Sequence, residues 1–369
     1  MKTLQLHRVF SILLICAMVL TLAQPLSVWA TTTDTVYLDP ANGTDTNAGT
    51  EAAPVKTLAA AYGKLTGAGT IVFLSDLQIT GNTFFPVCQY PVTLTSKTGA
   101  EGIVTTGTLR MQGDTTFKDI TVTFNASGLA FISGEGYDLT IDTGVTTVNL
   151  TGNQVNLVAT KRFDATLTAN PTLTVRSGKW DYIYATHGNS ITGSVTVNIE
   201  GGICTTFSPS YNATVTGNVN VSVKNASVST LMLEPTHSNG KITGKLHICL
   251  DDGADVGKAT GSSGAVQGGT TLEVVGNTAN TGTLTGYGVG SDLLLSSGTW
   301  NGVAEDFDSV AIDVAAGEKV TLSSPVTADT VNVNGTLDFN GISAITISGW
   351  LRLIFIRASS PFAASSTLR

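Results

Sequence analysis

Between Thr172 and Asn277 the chain alternates apolar and small polar residues in short runs. The clearest are "TLTVRSG" (172–178), "VTVNIEGG" (195–202), "VNVSVKNAS" (219–227), "LHICLDDGA" (246–254) and "TLEVVGN" (271–277). Alternation with period two predicts strands with one face buried and the other solvated. One inward position per run (Leu173, Val197, Val221, Ile248, Leu272) gives steps of 24, 24, 27 and 24 residues. The triplets "ITG", "VTG" and "ITG", ending at Gly193, Gly217 and Gly244, keep the same beat. Val72, Leu94, Phe117 and Leu139 extend the ladder upstream, and Leu294, Ile312 and Val331 extend it downstream. A strand-only period in the low twenties predicts a β-solenoid, in which each turn buries the apolar face left open by its neighbour. About a dozen turns at ~4.8 Å each give a rod on the order of 60 Å long. The competing all-β arrangement, a pair of sandwiches, places turn signals roughly every 8–12 residues. The period here is longer and survives changes in loop length.

One stretch breaks the pattern. "YLDPANGTDTNAGTEAAPVKTLAAAYGKL" (37–65) opens as a strand, passes through a Gly/Asn/Asp/Thr loop and ends at helical spacing. Pro54 suits a first helical turn, where its missing N–H costs nothing. Val55, Leu58, Ala59, Tyr62 and Leu65 then share a face. That face suits a plug over the first turn of a solenoid, whose core and strand edge are otherwise open.

On Asp39, Pro40, Asn42, Gly43, Gly49, Thr50, Pro54, Lys56, Thr57 and Leu58, this stretch resembles the opening segment of secreted right-handed parallel β-helix proteins of the pectate-lyase-like superfamily. The match covers about thirty residues, and the rest resembles the superfamily only in the style of its repeat. The resemblance implies an all-β fold, a right-handed parallel β-helix with an N-terminal capping helix. It also implies carbohydrate chemistry on the lateral face, through clustered carboxylates, calcium and a basic residue.

Composition narrows the partners. The net charge is -8 with 12% charged residues, which argues against a nucleic-acid footprint. Residues 1–30 read as a secretory leader: Lys2, His7 and Arg8, then "FSILLICAMVLTLA", then the small-residue site ending at Ala30. Cleavage there leaves no stable membrane span and a secreted or cell-surface protein. It also leaves Cys88, Cys204 and Cys249, an odd and widely spaced set that makes no disulfide framework. The expected organisation is a leader (1–30), a first strand, loop and capping helix (31–70), a parallel β-helix (71–349) and an atypical tail (350–369). The tail turns purely basic and reads as a truncated or frameshifted end.

Candidate chemistry is sparse. "KWDYIYATH" (179–187) offers Trp180, Tyr182, Tyr184 and His187 as a carbohydrate-contact surface. Strand alternation favours the three aromatics facing the core, because the opposite choice buries Asp181. Asp251, Asp252 and Asp255 form an oxygen-rich turn that suits calcium; "EDFD" (305–308) is a lesser acidic cluster. His247 and Cys249 share a face, but no third metal ligand is evident beside them. No ladder of charged residues at equivalent positions on successive turns is evident either. The expected function is therefore an exported β-helix surface protein, non-catalytic, in adhesion or contact with a polysaccharide or cell-surface glycan. The alternatives are a polysaccharide lyase or glycoside hydrolase acting on the lateral face, and a structural spacer of a longer surface protein. The structural cap is expected from Pro54, Val55, Leu58, Tyr62 and Leu65.

Overall fold

Short strands follow one another with almost no helix between them, and they pair in parallel from turn to turn. The computed structural model describes residues 34–160, 166–188, 190–261, 265–342 and 345–353, with side chains described as far as residue 349. The expected leader and the tail beyond 353 lie outside the described residues. The described chain is a parallel β-solenoid of about ten turns, close to the dozen that the period implies.

Two ladders share its largest sheet. The first begins at Asp34–Leu38 and Gly69–Phe73 and climbs to Thr346–Leu353. The second begins at Thr83–Phe84 and Leu109–Arg110 and passes through Ala130–Ser133, Val155–Val158, Lys179–Tyr184 and Ile203–Ser208. Toward the C-terminal end the two ladders run together in the long strands Asn280–Leu295 and Val303–Val314.

The sequence ladder is the structural one through its centre. Leu173, Val197, Val221, Ile248 and Leu272 stand opposite one another on successive strands, all in the core. Its ends need correction. Ile71, not Val72, stacks under Leu94 and Phe117, and Leu293, not Leu294, stacks on Leu272. A slip of one residue in a strand turns the side chain to the opposite face.

The repeated glycines have a steric cause. Gly217 N–H donates to the Gly193 carbonyl (2.9 Å) and Gly268 N–H to that of Gly244 (3.0 Å). A Cβ at Gly217, Gly244 or Gly268 would collide with the carbonyl of the glycine one turn below. One residue further on, Asn170 Oδ1 accepts from Ser194 N–H, Ser194 Oγ from Asn218 N–H, and Asn218 Oδ1 from Lys245 N–H. The corner thus keeps its backbone groups satisfied from turn to turn.

At the N-terminal end the free edge of Asp34–Leu38 is covered by its own chain. Tyr37 N–H donates to Gly49 O, Asp39 N–H to Val55 O, and Val55 N–H to Tyr37 O. Pro54 therefore belongs to an extended segment, not to a helical turn. Asp45 explains this: its carboxylate accepts from Lys56 and Thr57 N–H and from the Thr57 hydroxyl. Thr57 in turn caps the six-residue helix Leu58–Gly63 by accepting from Ala60 N–H. Ala61, Tyr62 and Leu65 are buried, Leu58 is half-buried against the core, and Ala59 is exposed.

Candidate functional site

The outer face of the second ladder carries an aromatic cluster. Trp180 points inward and is only 1% exposed, whereas Tyr182 and Tyr184 point outward with Ile183 in the core between them. The expected single face for all three aromatics is thus corrected. The parallel register includes Trp180 and Tyr182 but skips Asp181, so the chain bends there and alternation restarts. Asp181 stays half-exposed and accepts from Val155 N–H at 2.8 Å, which removes the burial cost that favoured an inward Tyr182.

The two tyrosine rings stack at 5.3 Å with 5° between their planes. His187 meets the edge of Tyr184 at 4.9 Å and stacks on Tyr211 at 4.6 Å. Tyr211 in turn meets His237 at 5.0 Å. Phe131 closes the cluster against His187 at 4.9 Å. His187 and Tyr211 are paired across neighbouring turns by a parallel bridge, so their rings lie in register. Phe131, Val158 and Tyr184 form a buried nucleus separate from the axial core, and Tyr182 and Tyr211 cover it while half-exposed. Three of the four expected contact residues thus come together, joined by Phe131, Tyr211 and His237, which no local pattern marks. Burial pushes the Tyr184 phenol well above its ordinary range. Asn156 sits between Phe131 and Tyr182 in register, and its buried amide has no hydrogen-bond partner among the described residues, a costly arrangement.

Beside the cluster, Arg110 and Glu135 form a buried two-pronged ion pair, Nε–Oε1 and Nη2–Oε2 both 2.9 Å. Ser133 Oγ donates to Glu135 Oε1 at 2.8 Å, and the Arg110 guanidinium lies 4.1 Å over the Phe84 ring.

The outer face of the first ladder does carry a column of charge, contrary to expectation. Arg176, Glu200, Lys224 and Asp251 each follow the last inward residue of a strand, and each donates its N–H to the equivalent carbonyl one turn below. The signs alternate. Arg176 bonds Glu200 (2.8 Å) and Asp142 (3.4 Å), and Lys224 bonds Asp251 (2.9 Å). These carboxylates are neutralised by the neighbouring turn, which suits a structural ladder and leaves them poor candidates for acid–base work.

Each of the three aspartates expected to bind calcium has a hydrogen-bond partner of its own. Asp251 is taken by Lys224, Asp252 accepts from Asn277 N–H at 2.8 Å, and Asp255 accepts from Ser227 Oγ at 3.2 Å. Burial raises the Asp251 carboxyl, but hydrogen bonds from Lys224 and Asp252 outweigh it and hold the group below its ordinary range. One group of His, Cys and acidic side chains does converge among the described residues. His247, Cys249 and Glu273 lie on adjacent strands of the first ladder, with Cys249 directly opposite Glu273. Burial, then Glu273 and Asp251, push the Cys249 thiol up to about 11, so it is no activated nucleophile.

Among the described residues no helix is long and apolar enough to cross a membrane. Comparison with protein-family models, with curated proteins and with solved structures finds no match.

Proposed function

We propose that this is an exported, non-catalytic β-solenoid that contacts glycans through the outer face of its second ladder. The observation that carries the reading is the aromatic stack on this face, in which Tyr182, Tyr211 and His237 are half-exposed over the buried Tyr184 and His187, spread over adjacent turns. Half-exposed aromatic rings on a rigid sheet suit the C–H faces of sugar rings, and their phenol and imidazole edges suit sugar hydroxyls. The pre-ordered stack loses little side-chain entropy on binding. The paired charges of the first ladder support the non-catalytic reading over the lyase or hydrolase alternative.

The finer architecture belongs to the same proposal. The helix Leu58–Gly63 and the extended segment before it act as the N-terminal cap. The solenoid is right-handed and of the pectate-lyase-like kind, on the resemblance of residues 37–65. Export rests on the leader pattern of residues 1–30.

The test is binding to a panel of neutral and acidic polysaccharides by affinity electrophoresis, with Tyr182→Ala and Tyr211→Ala beside the unaltered protein. The expected outcome is retardation by at least one polysaccharide, weakened by either substitution while the fold is unchanged by circular dichroism. Retardation that neither substitution affects would place the contact elsewhere. Release of unsaturated sugars from an acidic polysaccharide, seen by ultraviolet absorbance, would replace this reading with the lyase.

A further inference from the structure

On the first ladder, away from the aromatic stack, three donor atoms of different chemistry face one another. His247 Nε2 lies 2.9 Å from Glu273 Oε2, Cys249 Sγ lies 3.5 Å from His247 Nε2, and Cys249 Sγ lies 3.9 Å from Glu273 Oε2. A tetrahedral zinc ion with ordinary bonds of about 2.0–2.3 Å to nitrogen, oxygen and sulfur requires donors roughly 3.3–3.6 Å apart. All three observed separations lie within about half an ångström of that range.

The arrangement is not a nucleophile relay. In a relay the two ring nitrogens of the histidine face different partners, one the nucleophile and the other the carboxylate. Here the same nitrogen, Nε2, faces both the sulfur and the carboxylate, so the donors converge on one point. The carboxylate is also held from behind: Ser296 Oγ, on the next turn, donates to Glu273 Oε1 at 2.6 Å and leaves Oε2 toward His247 and Cys249. Such outer support is typical of metal-ligating carboxylates. The scaffold is rigid, since His247 and Cys249 are two apart on one strand and Glu273 is paired to Cys249 by the ladder. The His247 side chain is 40% exposed, so an ion reaches the site from solvent.

We propose that His247, Cys249 and Glu273 form a three-ligand site for a borderline divalent transition metal, zinc foremost, with a fourth position open to water. Sulfur and imidazole donors select such ions over calcium and magnesium, which prefer all-oxygen shells. The site is independent of the glycan reading, and its test does not involve carbohydrate.

Cobalt(II) is titrated into the untagged full-length protein and followed by absorption, then displaced with zinc. The expected result is one equivalent of tetrahedral cobalt with a thiolate-to-metal charge-transfer band that zinc abolishes. Cys249→Ser removes the band, His247→Gln weakens binding at least 100-fold, and Ser296→Ala weakens it about tenfold. A second measurement needs no variant: zinc slows alkylation of Cys249, mapped by peptide mass spectrometry, and calcium at the same concentration does not. A band that survives Cys249→Ser, or no protection of Cys249 by saturating zinc, overturns the proposal. Equal protection by calcium overturns the choice of metal.

Discussion

Glu135→Gln tests whether the ion pair beside the aromatic cluster is needed by the turns that carry it. The Arg110 and Glu135 side chains are 14% and 4% exposed. The glutamate accepts three hydrogen bonds, two from Arg110 and one from Ser133. Removing the Glu135 charge weakens charge-assisted hydrogen bonds of a kind worth roughly 1.5–3 kcal/mol each. Glutamine keeps the shape, the positive backbone φ of 53° and one acceptor oxygen, so the low end applies, about 2 kcal/mol. Turns of a solenoid couple mainly to their neighbours, so the loss is expected first in amide hydrogen exchange of Leu109–Arg110 and Ala130–Ser133. Arg110→Lys keeps the charge but not the fork and is expected to lose less. Exchange in both strands unchanged in Glu135→Gln, a loss under about 1 kcal/mol, would refute the reasoning.

Other outcomes follow from the same structure. Gly217→Ala forces a methyl against the Gly193 carbonyl and is expected to cost about 1–3 kcal/mol by urea denaturation. Gly128→Ala, with open space around it, serves as the unaffected control. Tyr62→Asp places a charge where the phenol is now buried beside Thr115 and Cys88, and is expected to lower the melting temperature and solubility; full tolerance would end the capping proposal. Acid is expected to loosen the N-terminal segment early. Asp34 and Asp45 are held below the ordinary carboxylate value of 3.8, the first by the Thr66 hydroxyl and N–H, the second by Thr57 N–H before its other partners. Their contribution is therefore complete above that value and lost as the pH falls through the lowered values. Hydrogen exchange of residues 34–66 measured from pH 5 down to about pH 2 checks it.

Much of the fold is legible along the chain because a solenoid is close to one-dimensional. Local alternation sets which side chain faces inward, and the step of 24 or 27 residues sets which residue lies above it. The same arithmetic places Glu200 24 beyond Arg176, Lys224 24 beyond that and Asp251 27 further, so the charged column was there to be read. It also places Glu273 24 beyond Cys249, the third ligand that local spacing hides. Tertiary structure decided what happens at corners and in loops. The bend at Asp181 sends Trp180 into the core and Tyr182 out, because a corner restarts alternation that a straight strand would keep. Tyr211 lies 24 beyond His187, so the repeat itself stacks those two rings, whereas Phe131 and His237 join the aromatic stack through the packing of loops and neighbouring turns. Pro54 lies in an extended edge segment because Asp45, eleven residues before Lys56, holds the backbone there. Short-range sterics and a fixed repeat therefore determine the rungs, while long-range hydrogen bonds and loop packing determine where the side chains meet.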